Sequence, residues 1–111
     1  MDSKDRIRIQ HMIDAATQAM ESTATRTRED LDKDHIWTLG LIKCIEILGE
    51  AAARVSTECQ STHPQIPWPI IVGMRNRLVH VYFDVDLDQV WSTLQTDIPQ
   101  LTEQLKTILE K

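Results

Sequence analysis

Two guanidinium groups, an amide, an imidazole and a phenol fall within one stretch of this 111-residue chain, Gly73-Met74-Arg75-Asn76-Arg77-Leu78-Val79-His80-Val81-Tyr82-Phe83. Cleaving RNA without a metal takes three functions. A base removes the 2′-hydroxyl proton, an acid protonates the leaving oxygen, and a cation stabilises charge on the phosphorane. His80 suits the proton transfers, because imidazole titrates near neutral pH, and Arg75 offers a permanently charged planar fork for phosphate oxygens. Asn76 would orient His80 or a phosphate through its amide, and Arg77 would add to RNA binding. A purely structural reading stands beside this one: Arg75 and Arg77 pair with acids such as Glu50, Asp84 or Asp86, and His80 caps a helix C-terminus.

Helical geometry constrains the catalytic reading. At about 100° per residue, the five-residue step from Arg75 to His80 separates the two groups by roughly 140° around a straight helix. Asn76 and His80 share a face, and Arg75 and Tyr82 nearly coincide on another. The helix must therefore end or distort near His80, or two subunits must combine their groups across a two-fold cleft. The cleft is the favoured solution.

The elements that position this stretch read as helices. Ile9, Met12, Ile13, Ala16 and Met20 recur at three- and four-residue steps and predict a first helix, ended by a loop over Ser22-Thr23-Ala24-Thr25-Arg26-Thr27. Trp37, Leu41, Cys44, Ile45, Leu48, Ala51, Ala52 and Val55 keep one face apolar over about five turns and predict a central helix. Gly49 and the alanines at 51, 52 and 53 would let a neighbouring backbone come close, although plain core packing is the favoured reading. Ser61-Thr62-His63-Pro64-Gln65-Ile66-Pro67 ends that helix.

A third helix begins near Trp68, carries Ile71, Met74 or Arg75, and Leu78 along one side, and ends between His80 and Asp84. Asp86 with Gln89 three residues on resembles a capping box for a fourth helix through Val90, Leu94 and Ile98. Pro99 is expected to break it and open a short fifth helix with Leu101, Leu105, Ile108 and Leu109. No period-two strand pattern is evident. The expectation is one all-α domain over residues 1–111, an antiparallel four- to five-helix bundle.

Composition narrows the function classes. The chain is 41% hydrophobic and 26% charged, with few glycines and prolines, which fits a globular helical protein. A net charge of −5 argues against coating nucleic acid by bulk electrostatics, so any RNA contact must be local. Neither a membrane-spanning run nor a signal-peptide pattern is evident, so the expected location is the cytoplasm, without membrane contact. Cys44 and Cys59 read as reduced, packed thiols. His11, His35, His63 and His80 lack metal-ligand spacing, so no protein-bound metal and no cofactor are expected. Trp37, Trp68 and Trp91 sit at core-compatible positions, and Asp84, Asp86 and Asp88 read as a solvated turn with one helix cap.

Arg75-x-x-x-x-His80-x-Tyr82 resembles the R-x-x-x-x-H-x-Y signature of HepT-like toxins of the HEPN superfamily. Leu48-Gly49-Glu50-Ala51-Ala52 is similar to the family's G-E-A segment. Ile66-Pro67-Trp68 followed by Gly73-Met74-Arg75-Asn76 is similar to its P-W and G-M-R-N segments, and the likeness continues through Val85-Asp86 and Val90-Trp91 to Pro99. The resemblance implies a HEPN-like helical homodimer whose cleft holds both copies of Arg75 and His80 and cuts RNA, with transfer RNA a candidate substrate. It also implies a toxin–antitoxin pair, in which a nucleotidyltransferase antitoxin of the MNT type uses ATP to attach AMP to Tyr82. Glu50 would then anchor an arginine of the motif or face water.

Two other functions compete with the enzyme. In one, the groove holds RNA or a nucleotide while a nucleotidyltransferase partner performs all the chemistry. In the other, the chain serves only as a dimerisation partner.

Overall fold

The first apolar stripe becomes α1 (Ser3–Thr23), whose N-cap Asp2 accepts the Lys4 amide at 2.6 Å. In this computed structural model, residues 1–81 and 84–110 are described, and for Val79, His80, Val81 and Asp84 the backbone alone. A short turn of helix, α2 (Asp30–Lys33), leads into α3 (His35–Arg54). There the Asp34 side chain accepts the Trp37 amide at 3.1 Å, satisfying an amide that has no intrahelical partner. The two ends of α1 and α3 show that they run antiparallel. Trp37 at the start of α3 reaches Ser22 near the end of α1, while Ser56 just beyond α3 bonds Asp5 at the start of α1.

The central helix stops where its apolar stripe does, at Arg54, and before the Ser61-to-Pro67 segment expected to end it. Val55 and Ser56 turn extended, and Ser56 restarts the chain as N-cap of α4 (Thr57–Thr62). The cause lies on another element. Buried Asp5 of α1 accepts the Ser56 amide at 2.8 Å and the Ser56 hydroxyl at 2.7 Å, and the Ser56 oxygen in turn accepts the Cys59 amide at 3.1 Å. These bonds hold the Asp5 carboxyl below the usual carboxylate range, the Ser56 hydroxyl contributing most.

The expected third helix is two short helices and a strand. In α5 (Trp68–Val72) and α6 (Met74–Leu78) the buried residues are Trp68, Ile71, Met74 and Leu78, so Met74 rather than Arg75 faces the core. Between them Gly73 sits near φ −87°, ψ 1°, outside the helical region. After Leu78 the β-branched Val79 and Val81 enter β1 (Val79–Val81), paired antiparallel with β2 (Asp84–Val85). The expectation of a helix through His80, with no strand, is corrected here: the helical part ends at Leu78. The ladder is too short to leave a period-two signature.

Asp86 caps α7 (Leu87–Ser92) by accepting the Gln89 amide at 3.0 Å, as its spacing suggests. Pro99 does not break the helical path beyond α7. A wider π turn, Thr93–Asp97, joins α7 to α8 (Ile98–Leu109), and Pro99 sits in the first turn of α8. The π turn absorbs the backbone bond that the proline nitrogen cannot make.

α1 packs along α3 and α8, and α5 and α6 pack across α3. The Arg6 guanidinium near the start of α1 donates to the Leu109 carbonyl at the end of α8, so these helices are antiparallel too. The fold is thus an all-α antiparallel bundle with one small β ladder. Its core runs from Ile9 and Met12 through Leu41, Ile45 and Leu48 to Leu78, Leu94, Ile98 and Leu105, all at most 2% exposed. Each such side chain contributes about 1.5–3 kcal/mol through its removal from water.

Candidate active site

The position of α6 follows from one close approach. A Cβ on Gly49 would lie 3.2 Å from the Ile71 carbonyl oxygen and 3.4 Å from that of Val72. Glycine at 49 therefore lets the end of α5 rest against α3, bringing α6 beside the outer face of α3. The small-residue reading of this segment holds at Gly49 itself.

There the Arg75 Nε–H donates to Glu46 Oε1 at 2.7 Å. Arg75 is half exposed (52%) while Glu46 is 23% exposed, so the carboxylate is the more fixed partner. Lys43 Nζ stands 3.8 Å from the other Glu46 oxygen. Engagement through Nε leaves the two terminal nitrogens of Arg75 without a hydrogen-bond partner among the described residues. That free edge is the fork that matches two phosphate oxygens.

Around this pair lies a pocket of about 180 Å³, lined by Glu46, Gly49, Glu50, Ala53, Val72, Arg75 and Asn76. Three expected site residues, Arg75, Asn76 and Glu50, thus meet in one depression. The partner of Arg75 is nevertheless Glu46, one turn earlier on α3 than Glu50. Sequence reasoning missed Glu46; the available signal was that Glu46 and Glu50, four residues apart, share one helical face.

Arg77 goes elsewhere. Its Nη2 stands 3.8 Å from Asp97 Oδ2 of the π turn, beside a second pocket of about 350 Å³ between α5, α6 and α8. Neither arginine pairs with Glu50, which is exposed, so of the two readings open for it, anchoring an arginine or facing water, the structure shows the second. His80 enters β1, with its imidazole outside the described side chains, and Tyr82 lies outside the described residues. The Asp84 side chain is likewise undescribed.

Other candidates resolve into structural work. The Trp68 indole is buried and donates to the His63 carbonyl at 3.0 Å. Trp37 lies under the Arg26 guanidinium, 4.5 Å from its ring centroid, and Trp91 packs against the core. Asp88 holds Arg28 at 2.8 Å. Cys44 and Cys59 are unpaired thiols whose burial pushes their pKa up, so neither is an activated nucleophile. Among the described residues no group of three or more His, Cys, Asp or Glu is placed to hold a metal ion, and no helix is long and apolar enough to cross a membrane.

The antiparallel helical bundle is of the HEPN-like class. The comparisons with known proteins are more specific. Residues 12–108 match the Ribonuclease HepT-like family, and the chain belongs to that family. It is 34% identical over 103 residues to a protein of Caldanaerobacter subterraneus named as a candidate RNase, covering 93% of this chain and 92% of that one. It is also 38% identical over 73 residues to a protein of Thermococcus cleftensis named probable ribonuclease HepT, with 66% of each chain covered. No solved structure matches.

Proposed function

We propose that this chain is a metal-independent endoribonuclease in which Arg75 grips the scissile phosphate and His80 transfers protons. The carrying observation is the Arg75–Glu46 bond. At 2.7 Å it fixes one edge of the guanidinium and turns the other outward, so the cation is aimed before substrate arrives. Asn76, on the wall of the same pocket, orients the phosphate or His80, and Glu50 shapes the rim.

A homodimer completes the site in this reading. The outer face of α3 carries Ile36, Leu39 and Ile47, the first of them 80% exposed, and Gly40 with open space beyond its Cα. At about 100° per residue Leu39 lies within about 20° of Glu46 and Glu50 and Ile36 within about 80°, so this row borders the face that bears them. An apolar row of this kind favours a self-complementary contact with a second copy, which would set two Arg75 sites side by side.

The remaining expectations form one regulatory scheme. The protein acts in the cytoplasm as a toxin, with transfer RNA as a candidate substrate. An MNT-type nucleotidyltransferase antitoxin silences it by transferring AMP from ATP to Tyr82. The added phosphate and base would compete with RNA for the arginine by charge and bulk.

Expression of the chain alone tests the core of the proposal. The parent is expected to arrest growth and to cut RNA in EDTA, while Arg75→Ala and His80→Ala remain folded and lose cleavage by at least about 10²-fold. Retained cleavage in both variants, or loss of the parent's activity in chelator, would sink it. Incubation with the antitoxin and ATP should add the mass of AMP to the parent and not to Tyr82→Phe.

A further inference from the structure

We propose that the larger pocket, on the opposite side of α6 from Arg75, is a subsite for one unpaired guanine base of the RNA; this rests on the ribonuclease reading above. Its volume, about 350 Å³, falls in the range of small-ligand pockets, ~300–1,000 Å³. Met74 and Leu101 give a buried apolar floor, and the exposed Ile70 forms a wall, suited to the face of a base.

The rim supplies the edge chemistry. Gln65, Gln100 and Gln104 line the pocket, and their side-chain amides have no hydrogen-bond partner among the described residues. Each presents an unused donor and an unused acceptor. Arg77 and Asp97 stand 3.8 Å apart, too far for a hydrogen bond, so both keep capacity for a ligand. A guanidinium beside a carboxylate matches guanine better than any other base. Guanine offers O6 and N7 as acceptors to an arginine, and its N1–H and N2–H groups as donors to a carboxylate. Adenine and cytosine each offer a carboxylate an exocyclic amino group with no ring N–H beside it, and uracil offers only its ring N3–H.

The placement relates this pocket to the phosphate site. Arg75 and Arg77 are two residues apart on α6, so one helix separates the two pockets. A strand of RNA crossing α6 would set a base in one while its backbone meets Arg75 in the other. Arg77 is then a specificity-determining residue rather than a second phosphate clamp.

The test uses the whole ¹⁵N-labelled chain titrated with GMP, AMP, CMP and UMP, following the side-chain amide signals of Gln65, Gln100 and Gln104. GMP is expected to shift them at concentrations at least about fivefold lower than the others, and Asp97→Asn, with native circular dichroism, should abolish that preference. Equal response to all four nucleotides, or none, overturns the subsite. Cleavage of RNAs that differ at one base beside the cut gives an independent readout. A guanine preference that Asp97→Asn flattens supports the subsite, and cleavage without base preference overturns it. A parent that binds GMP selectively but cuts no RNA overturns the ribonuclease reading instead.

Discussion

Arg75 and Arg77 are the same residue type, two positions apart on one short helix, yet the fold treats them differently. Arg75 meets a carboxylate on the long, well-packed α3 at 2.7 Å, whereas Arg77 meets one on the π turn at 3.8 Å. Their exposures are similar, 52% and 41%, so burial does not separate them. Anchoring does. A guanidinium held by one edge presents the other in a fixed direction, which suits stabilising charge that develops in a transition state. A loosely paired guanidinium adapts, which suits recognition.

The largest expected effect is on the anchored side. Glu46→Ala should lower kcat for RNA cleavage about 10–100-fold with little change in KM, because Arg75 loses direction rather than charge. Glu46→Gln keeps an oxygen acceptor for Nε and should recover much of the loss. Glu46 is thus a positioning residue. A rise in KM alone, or no rescue by glutamine, would break the contrast with Arg77.

Next in size is the contact that brings α5 and α6 onto α3. Gly49→Val places branched carbon against two backbone carbonyls that cannot swing away, and should cost about 1–3 kcal/mol in urea unfolding. Unchanged stability together with unchanged cleavage would show that this close approach does not set the site.

Asp5 provides a control on a different element from both arginines. Its hydrogen bonds to Ser56 lower its folded-state pKa below the unfolded value of about 3.9, so their contribution is complete above that value. It is lost as pH falls through the folded-state pKa. Asp5→Ala should cost about 1.5–3 kcal/mol at pH 7 and flatten the acid limb of the stability curve, measured by denaturant melts from pH 7 to 2. An acid limb as steep as the parent's would refute that assignment.

The smallest effect is expected on the adaptable side. Arg77→Ala should weaken RNA binding several-fold, leave kcat within about twofold, and change the log–log salt slope by less than about 1, since Arg77 reads a base more than a phosphate. A full unit of slope would make Arg77 a phosphate contact after all.

Much of the fold was legible in the residues. The stripes of α1 and α3 and the cap at Asp86 depend on neighbours within a turn or two, so local periodicity and side-chain chemistry reveal them. The close approach at Gly49 was legible because small side chains imply it wherever a partner arrives. Three features were not. The early end of α3 depends on Asp5, fifty-one positions away, and the passage through Pro99 depends on a π turn whose residues look ordinary. The strand after Leu78 pairs too few residues to leave a pattern.

By itself, then, the amino-acid sequence determined the helical class, the motif around Arg75 and the family, because these rest on residue type and spacing along one chain. Which acid holds Arg75 was decided only in three dimensions. Glu46 and Glu50 offer the same chemistry on the same face of α3, and the choice depends on where α6 comes to rest along that helix. Gly49, by admitting the carbonyls of Ile71 and Val72, sets that position.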